Sequence, residues 1–574
     1  MKKIQPLYKH ARWLLTLAFG LAVFLFWRYR YPFALTYQEQ FQLFLFDGDY
    51  LMERLREPGG VARYVAEFLV QFYNSVTTGA AILAVLFMLM QQLIWQLMKS
   101  VSSRLSSLSS HYALSFIPSL MVWYSLGDES VMLTYVVALV MALGVMVVWT
   151  RTMKGDRKVQ SIAALILIPA VYWLIGPMVL LVALWIYPLS VIYALALILL
   201  SAYFLPFPTT RVMMGVSYYR FPVTLPYLLM VIPVIVYLIA RFAYRIPKAK
   251  TWITVAEVIV LIGLVGFVSK GFNAKKYDLL EYDYLVRLND WGSIIAKAEK
   301  HAPDLPMSVG ATNLALAMTD QLGERAFDFY QRGREGLLPR FERNFTTAQL
   351  TGEIYFHLGL INTAQRFAFE SMEALPNYNK SARSVKRLVE TNLINGQYEV
   401  ARKYLKMLQK TIFYRPWAQR TMALLGDEKA IADHPLYGWL RKVRIQDDFL
   451  FSEDELDKIC GQLFMHDEQN KMAVQYLLLA PLLDKDIQKF MSFAEVVQST
   501  TNYNPRACQE AIAFAFMQRR QQPPQGAVSP MILERMNEFA RVYSGDKNSP
   551  ELMRFKNTVW YYLTVGNHLA KREE

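Results

Sequence analysis

Residues 251–276 read TWITVAEVIVLIGLVGFVSKGFNAKK, and the chain changes character within this stretch. Up to Lys270 the sequence contains repeated apolar runs of the length that spans a bilayer, which is about 20 residues. From Gly271 onward it becomes a series of amphipathic helical patterns with few strand-like runs. The change predicts an all-α protein in which a polytopic membrane domain, residues 1–270, precedes a soluble helical domain.

The composition agrees with this division. Apolar residues make up 54% of the 574 residues, which is a high share for a soluble globular protein. The net charge is +14, yet residues 271–574 hold 39 basic against 37 acidic residues. Residues 1–270 hold 22 basic against 10 acidic residues, so the excess lies beside apolar runs. Lys and Arg are retained there on the cytoplasmic side. We expect no nucleic-acid partner, because such binding needs a basic face on the soluble part.

The apolar runs predict seven or eight membrane spans. A tract at 162–206 has room for two passes, but prolines interrupt it, and proline kinks or breaks a helix. The other apolar runs are residues 12–28, 76–98, 111–126, 131–150, 224–240 and 251–269.

Charges flanking the runs predict the topology. Lys2, Lys3 and Arg12 place the N-terminus in the cytoplasm, and the following loops alternate in charge. If the tract 162–206 crosses the membrane once, the chain has seven spans and the soluble domain is extracytoplasmic. If the tract crosses twice, the chain has eight spans and the soluble domain is cytoplasmic. A single crossing keeps the basic cluster at 241–250 inside, which favours seven spans. A linker, residues 271–276, then leads into the soluble domain.

The first outer segment, residues 34–74, is long for a connector and contains six acidic residues against three arginines. Glu39, Asp47 and Asp49 are candidate general bases or metal ligands for a lipid-linked substrate. Alternatively, the segment is an interfacial amphipathic helix with solvated carboxylates. Glu257 lies near the start of the last span, where a carboxylate is either functional or reaches the membrane surface.

The soluble half contains an internal period typical of tetratricopeptide repeats, in which small residues let paired helices pack closely. The distance from Ala364 to Ala401 is one such repeat with a short insertion. A looser copy includes Ile294 and Ala298. We predict repeats over 277–430 and further helices, with a possible cap, over 431–574. The repeat-packing positions are Gly352, Tyr355, Gly359, Ala364, Ala368, Pro376, Gly396, Tyr398 and Ala401.

Charged and reactive residues of the soluble half predict no catalytic site. Arg383, Lys386 and Arg387 recur at helical spacing with interleaved glutamates, which is typical of a solvated face. The chain has no Walker-type loop, no His-Glu-x-x-His sequence and no nucleophile elbow. The seven histidines are dispersed, and the two cysteines have no metal-type spacing. We therefore predict neither a cofactor nor a metal.

Two stretches carry a resemblance to known proteins. They read IYFHLGLINTAQR at 354–366 and ETNLINGQYE at 390–399, and the outer segment from Glu39 to Gly60 adds to them. The sequence resembles an uncharacterised family of bacterial integral membrane proteins over most of its length. The resemblance implies a multi-pass protein of the bacterial cytoplasmic membrane, in contact with the lipid bilayer. It implies no catalytic residue.

These features favour a non-enzymatic function. The first hypothesis is an integral membrane scaffold whose repeat domain binds or positions a protein partner, in cell-envelope biogenesis. The alternative is a glycosyltransferase that uses a polyprenyl-linked sugar, with Glu39, Asp47 or Asp49 as its base. A transporter is the third hypothesis, although paired broken helices in two related halves are absent from the sequence pattern.

Overall fold

The helices of the chain are divided between two units. The first comprises Met1–Asp278, Pro376–Ala382 and Lys410–Phe413, and the second comprises the rest of the chain. The computed structural model describes residues 5–101, 111–220, 225–245, 259, 262–340, 342, 344–375, 379–446 and 455–566. Within these residues the regular elements are helices, and β-pairing is limited to two isolated bridges. The predicted all-α class is confirmed over this part of the chain.

The first unit consists of helices joined by short turns. Helix α1 continues into a π-helical turn, Phe26–Arg30, and a 3₁₀ turn, Gly176–Met178, joins α8 to α9. The helices are α1 Gln5–Leu25, α2 Pro32–Glu39, α3 Gly48–Leu55, α4 Gly60–Val70, α5 Val76–Val101, α6 Ile117–Ser125, α7 Leu133–Thr152, α8 Arg157–Ile175, α9 Val179–Ile186, α10 Ser190–Phe204, α11 Thr209–Met214, α12 Tyr227–Phe242 and α13 Ile262–Gly271.

Five helical stretches among the described residues are long and apolar enough to cross a membrane. In the first unit, apolar helices of 10–17 residues cover Ala113–Ser125, Ser190–Phe204 and Ile262–Gly271. Most of the predicted run 251–269, including Glu257, lies outside the described residues. The count of seven or eight spans therefore stays a prediction. The five long stretches are Arg12–Arg30, Val76–Val101, Leu133–Thr152, Arg157–Ile186 and Tyr227–Arg245.

The second unit is built from consecutive helices around one continuous apolar core. Helix α14 begins at Ala274, shortly before the division between the units. The helices are α14 Ala274–Arg287, α15 Trp291–Lys300, α16 Pro306–Met318, α17 Leu322–Arg325, α18 Phe345–Leu358, α19 Ile361–Glu373, α20 Ala382–Ile394, α21 Tyr398–Gln409, α22 Arg415–Met422, α23 Glu428–Asp433, α24 Tyr437–Val443, α25 Leu456–His466, α26 Lys471–Leu483, α27 Ile487–Thr500, α28 Arg506–Gln518, α29 Pro530–Gly545 and α30 Val559–Thr564.

One helix-ending turn recurs along this unit. A residue with positive φ follows the helix, and the next amide donates to the carbonyl five residues back, as Leu360 does to Tyr355 at 2.9 Å. This is the Schellman motif, in which glycine is favoured because a Cβ is strained at positive φ. The motif occurs at Asn289, Asp320, Gly359, Gly396, Lys485 and Arg520.

Four of these turns join helices whose buried residues match in position. The fifth residue after the turn is fully buried in each pair: Ile294, Ala364, Ala401 and Phe490. The sequence pattern did not identify the pair α26 and α27. Lysine occupies its turn, and phenylalanine occupies the position where the repeat pattern has a small residue. At Gly352 of α18, a Cβ would lie 3.3 Å from the Phe367 Cβ of α19, so the helices approach closely there. Pro376 lies outside the described residues.

The turn at Gly359 gives a direct test of this geometry. We expect Gly359→Ala to lower the free energy of unfolding by about 1–2 kcal/mol, because φ is +97° and a Cβ would lie 3.0 Å from Val443. Gly292→Ala is the matched control, since a Cβ there meets no atom within 4 Å and the residue is helical. That change is expected to stabilise the protein by about 0.5–1 kcal/mol. Thermal unfolding of both variants checks the two opposite signs.

Candidate functional site

The three candidate carboxylates of the outer segment have three different environments. Glu39 ends α2, is 4% exposed, and accepts a hydrogen bond from the side chain of Gln40. Asp47 precedes α3 and forms an ion pair with Lys410 at 2.7 Å, within the first unit. Asp49 is exposed in the first turn of α3. Among the described residues, no group of three or more His, Cys, Asp or Glu is arranged to hold a metal ion.

Backbone hydrogen bonds fix the chain between Glu39 and Asp47. The amide of Leu43 donates to the Lys380 carbonyl at 2.9 Å, and the amide of Phe46 donates to the Lys410 carbonyl at 2.8 Å. Phe44 is buried against the ring of Tyr64, 5.1 Å away. The chain between Glu39 and Asp47 is thus ordered by packing within the first unit.

A carboxylate that the sequence did not single out is the centre of this segment. Glu67 of α4 is 1% exposed and accepts hydrogen bonds from three side chains. Its Oε2 accepts from Tyr50 at 2.6 Å and from Arg54 Nε at 2.9 Å, and its Oε1 accepts from Arg63 Nε at 2.9 Å. Arg54 also lies over the Tyr50 ring, with 4.0 Å between Cζ and the ring centroid.

Both arginines of this cluster have further partners, and Arg54 pairs with Glu53 at 3.1 Å. Arg63 donates to Asn379 at 2.9 Å and pairs with Glu57 at 3.1 Å. Burial would raise the pKa of Glu67, but Arg63 and Arg54 outweigh it and hold that pKa below its ordinary value. The carboxylate stays charged and accepts from three donors, so it ties α3 to α4 and is not poised as a proton acceptor. Arg63 and Glu67 lie four residues apart on α4, and this spacing is the sequence feature that could have indicated their ion pair. Arg54 comes close to them only in the folded chain.

An apolar cavity of about 290 Å³ lies among helices of the first unit. Its wall includes Tyr135, Tyr218 and Leu229, and the Tyr135 hydroxyl donates to the Leu229 carbonyl at 2.7 Å. The remaining lining side chains are mostly Leu, Met, Val and Pro. Such a cavity suits a hydrocarbon chain better than a polar substrate.

The second unit contains a larger cleft of about 860 Å³. Apolar parts of its wall come from Leu436 and Trp439 around α24, and His357 of α18 lies at one side. The charged parts are the pair Asp320 and Lys471, 2.6 Å apart, and the exposed carboxylate of Glu468. A wall with both aromatic and charged side chains suits a short peptide segment, since pockets of 300–1,000 Å³ hold ligands of that size.

A buried charge cluster lies behind this cleft. Glu353 accepts a hydrogen bond from Arg387 and lies 3.5 Å from Arg383, which in turn pairs with Asp283 at 2.7 Å. Arg387 also pairs with Glu390 at 3.0 Å. Burial opposes ionisation of Glu353, yet the two arginines outweigh it and lower its pKa to about 2. The predicted solvated face is therefore wrong for Arg383 and Arg387, which are 7% and 14% exposed in their side chains.

His357 connects the charge cluster to the cleft. Its side chain is 8% exposed, and its Nε2 is buried without a hydrogen-bond partner, 3.8 Å from Glu353. Burial lowers the pKa of His357 to about 4, more than the Glu353 carboxylate raises it. The imidazole is thus neutral at neutral pH. It packs edge-on against Trp291, with 5.7 Å between the ring centroids.

The lowered pKa of His357 predicts a pH-dependent stability. The unfolded chain protonates this histidine near 6.5 and the folded chain only near 4, so stability present above pH 6.5 is lost as pH falls towards 4. Between pH 7 and pH 5 this one group is expected to cost about 2 kcal/mol. Unfolding curves at the two pH values should show the loss diminished in His357→Gln. The same loss should persist in His301→Gln, since His301 is exposed.

The two cysteines offer no reactive thiol. Cys460 and Cys508 are buried and not joined in a disulfide, and burial raises the pKa of both thiols well above the ordinary value. Thiolate chemistry needs the opposite shift.

Comparison with known protein families gives a match over nearly the whole chain. A family model described as a family of unknown function matches residues 7–566, which is nearly the whole chain. Comparison with curated proteins gives no match, and neither does comparison with solved structures.

Proposed function

Since the chain belongs to the Family of unknown function (DUF6057), whose description states no activity, we propose a function from the chemistry of its residues. The protein is an integral membrane scaffold, and its second unit is a tetratricopeptide-like helical domain that binds a segment of a protein partner in the cell envelope. The cleft of about 860 Å³ is the observation that carries the proposal.

Several properties of the cleft support a peptide segment as ligand. Trp439 offers an apolar surface, and aromatic residues of this type dominate the binding energy of protein interfaces. Glu468 and Lys471 supply charges of both signs at the rim, which select a partner by electrostatic complementarity. Asn470 caps α26 and also donates to the Leu358 carbonyl at 2.9 Å, so the wall between these residues is rigid. A rigid wall lowers the entropic cost of binding.

The membrane half of the proposal is supported by the five long apolar helices and by the distribution of charge. We place the N-terminus in the cytoplasm of a bacterial cell, propose seven spans, and place the second unit outside the cytoplasmic membrane. A reporter enzyme fused after Glu574 tests on which side of the membrane the second unit lies. A cytoplasmic signal would replace the seven-span topology with eight spans.

Site-directed photocrosslinking tests the partner. A photoreactive phenylalanine at position 439 is expected to yield an adduct with one protein species, because this side chain lines the cleft. The same group at position 400 of α21 is the control, since Val400 is 43% exposed and does not line the cleft. A Glu468→Lys change should weaken the adduct formed at position 439. Equal adducts at both positions would contradict the proposal.

The glycosyltransferase hypothesis remains the second prediction. Neither of the two cavities described above is lined by Glu39, Asp47 or Asp49. Combined Glu39→Gln, Asp47→Asn and Asp49→Asn substitution tests the hypothesis, and unaltered surface glycans would count against it.

A further inference from the structure

Three cationic side chains meet at one turn of α5. Arg12 of α1 stacks on Trp95, with 5.2 Å between Cζ and the ring centroid, and Lys99 Nζ lies 5.8 Å from the same centroid. Arg151 of α7 donates to Gln96 Oε1 at 2.7 Å. Helices α1, α5 and α7 thus place one cation each around residues 95–99. These residues are named the cation triad: Arg12, Lys99 and Arg151.

The sequence offers this triad almost no counter-charge. Residues 1–38, 68–127 and 130–155 contain no Asp or Glu at all. Asp156, the next acidic residue, caps α8 by accepting from the Lys158 amide at 3.0 Å. Asp128 and Glu129 precede α7, whereas Arg151 is at its opposite end, about 30 Å away at 1.5 Å per residue.

Buried groups hold the triad in place. Trp95 and Tyr112 are each 4% exposed, and the Arg12 guanidinium lies 6.0 Å from the Tyr112 centroid. Gln92 donates to the Tyr112 hydroxyl at 2.7 Å and to Thr16 at 2.9 Å, which fixes α1 against α5. The Nε of Arg12 is buried and has no hydrogen-bond partner. A buried donor of this kind is costly unless an acceptor reaches it.

We propose that the cation triad binds the phosphate group of an anionic phospholipid. The inference rests on the membrane localisation proposed above. The triad lies at the ends of apolar helices, where headgroup phosphates are found, and its charge would be uncompensated without an anion. Phosphate oxygens can accept from the Arg12 guanidinium and pair with Lys99 and Arg151, while acyl chains lie along the exposed apolar faces of α1 and α5. The triad is on the same side as the basic N-terminus, which is the side where anionic lipids attract basic segments.

Each cation that pairs directly with the lipid phosphate is expected to strengthen binding by about 1 kcal/mol, which is about fivefold. The full-length protein in detergent is titrated with phosphatidylglycerol and, separately, with phosphatidylcholine of the same acyl chains, and native mass spectrometry counts bound lipid. Wild-type protein should prefer phosphatidylglycerol. The triple variant Arg12→Gln, Lys99→Gln, Arg151→Gln should lose at least about tenfold of that preference.

The matched control removes three charges from the neighbouring loop through Lys154→Gln, Arg157→Gln and Lys158→Gln. We expect this variant to keep its preference within about twofold, because detergent presents no anionic surface and these three side chains lie outside the triad that pairs with the phosphate. An equal loss in both variants would show diffuse attraction and overturn the site, and so would an unchanged preference in the triple variant. A further titration of the same protein uses inorganic phosphate alone. If it raises the unfolding temperature of wild-type protein and displaces phosphatidylglycerol, the site takes free phosphate and the lipid assignment is wrong.

Two further measurements keep the outcomes separate. The unfolding temperature without added lipid shows whether the triple variant is folded; if it is not, Lys99→Gln with Arg151→Gln replaces it, since both side chains are exposed. Carbonate extraction of cell membranes reports membrane insertion independently of lipid charge. Release of the protein by carbonate would contradict the proposed localisation itself, whereas an inserted protein without lipid preference would contradict only the site.

Discussion

Replacing Glu67 by glutamine is expected to lower the free energy of unfolding of the first unit by about 3–5 kcal/mol. The carboxylate is 1% exposed and accepts from Arg54, Arg63 and Tyr50. Glutamine keeps the shape but removes the negative charge, so two buried guanidinium groups lose their central partner. Because Glu53 and Glu57 still pair with the two arginines, the lower end of this range is expected.

Glu53→Gln is the control for this prediction. Glu53 pairs with the same Arg54 at 3.1 Å, but its side chain is 67% exposed. Exposed ion pairs contribute about 0–1 kcal/mol. Tryptophan fluorescence during heating of the full chain in detergent measures both variants. Equal unfolding temperatures for Glu67→Gln and wild type would show that this cluster does not stabilise the outer segment.

Glu353→Gln is expected to produce a loss of similar size in the second unit, about 3–5 kcal/mol at neutral pH. Glu353 is buried between Arg383 and Arg387, and glutamine would leave the two cations with less negative charge than they now have. The Arg387 guanidinium also lies over the Phe356 ring at 3.4 Å, so it cannot reach solvent without disturbing the core.

The effect of Glu353→Gln should depend on pH with a defined sign. The pKa of Glu353 is about 2 in the folded chain against 4.5 ordinarily. Its stabilisation is therefore present above pH 4.5 and lost as pH falls towards 2. The difference between wild type and variant should be constant from pH 5 to 8 and shrink below pH 4.

Glu370→Gln serves as the control on the adjacent helix. Glu370 pairs with Arg366 at 3.6 Å, and the Arg366 side chain is 65% exposed, so a loss below about 1 kcal/mol is expected. Chemical unfolding across the pH range compares the two variants. If Glu353→Gln and Glu370→Gln unfold alike at pH 7, the buried cluster is not the stabilising element that its geometry indicates.

The repeat turns show how far the sequence could predict the fold. Gly359 and Gly396 were recognisable because glycine is the residue that tolerates positive φ most easily. Lys485 adopts the same conformation at φ +62°, and Phe490 is buried at the position that Ala364 and Ala401 occupy in two of the other pairs. Packing against the core compensates the strain at such a position, and no local pattern reveals that compensation.

The candidate sites show a sharper limit. The acidic residues of the predicted outer segment suggested Glu39, Asp47 and Asp49, yet the buried carboxylate with three donors is Glu67. The sequence pattern singles out candidate carboxylates only by their position along the chain. Whether a carboxylate is solvated, paired or buried depends on side chains from other helices, as Arg54 and Arg63 illustrate.

The sequence by itself determined that the protein is helical. It also determined where the long apolar helices lie and at which of their ends positive charge collects. Those properties follow from local hydrophobic periodicity and from the composition of short loops, which tertiary contacts do not alter. Only the tertiary structure decided which charges are buried together, which face a cleft, and which meet without a counter-charge. Coulombic and desolvation energies depend on distances between residues far apart in the chain: Arg12, Lys99 and Arg151 form one cationic site only when α1, α5 and α7 pack together.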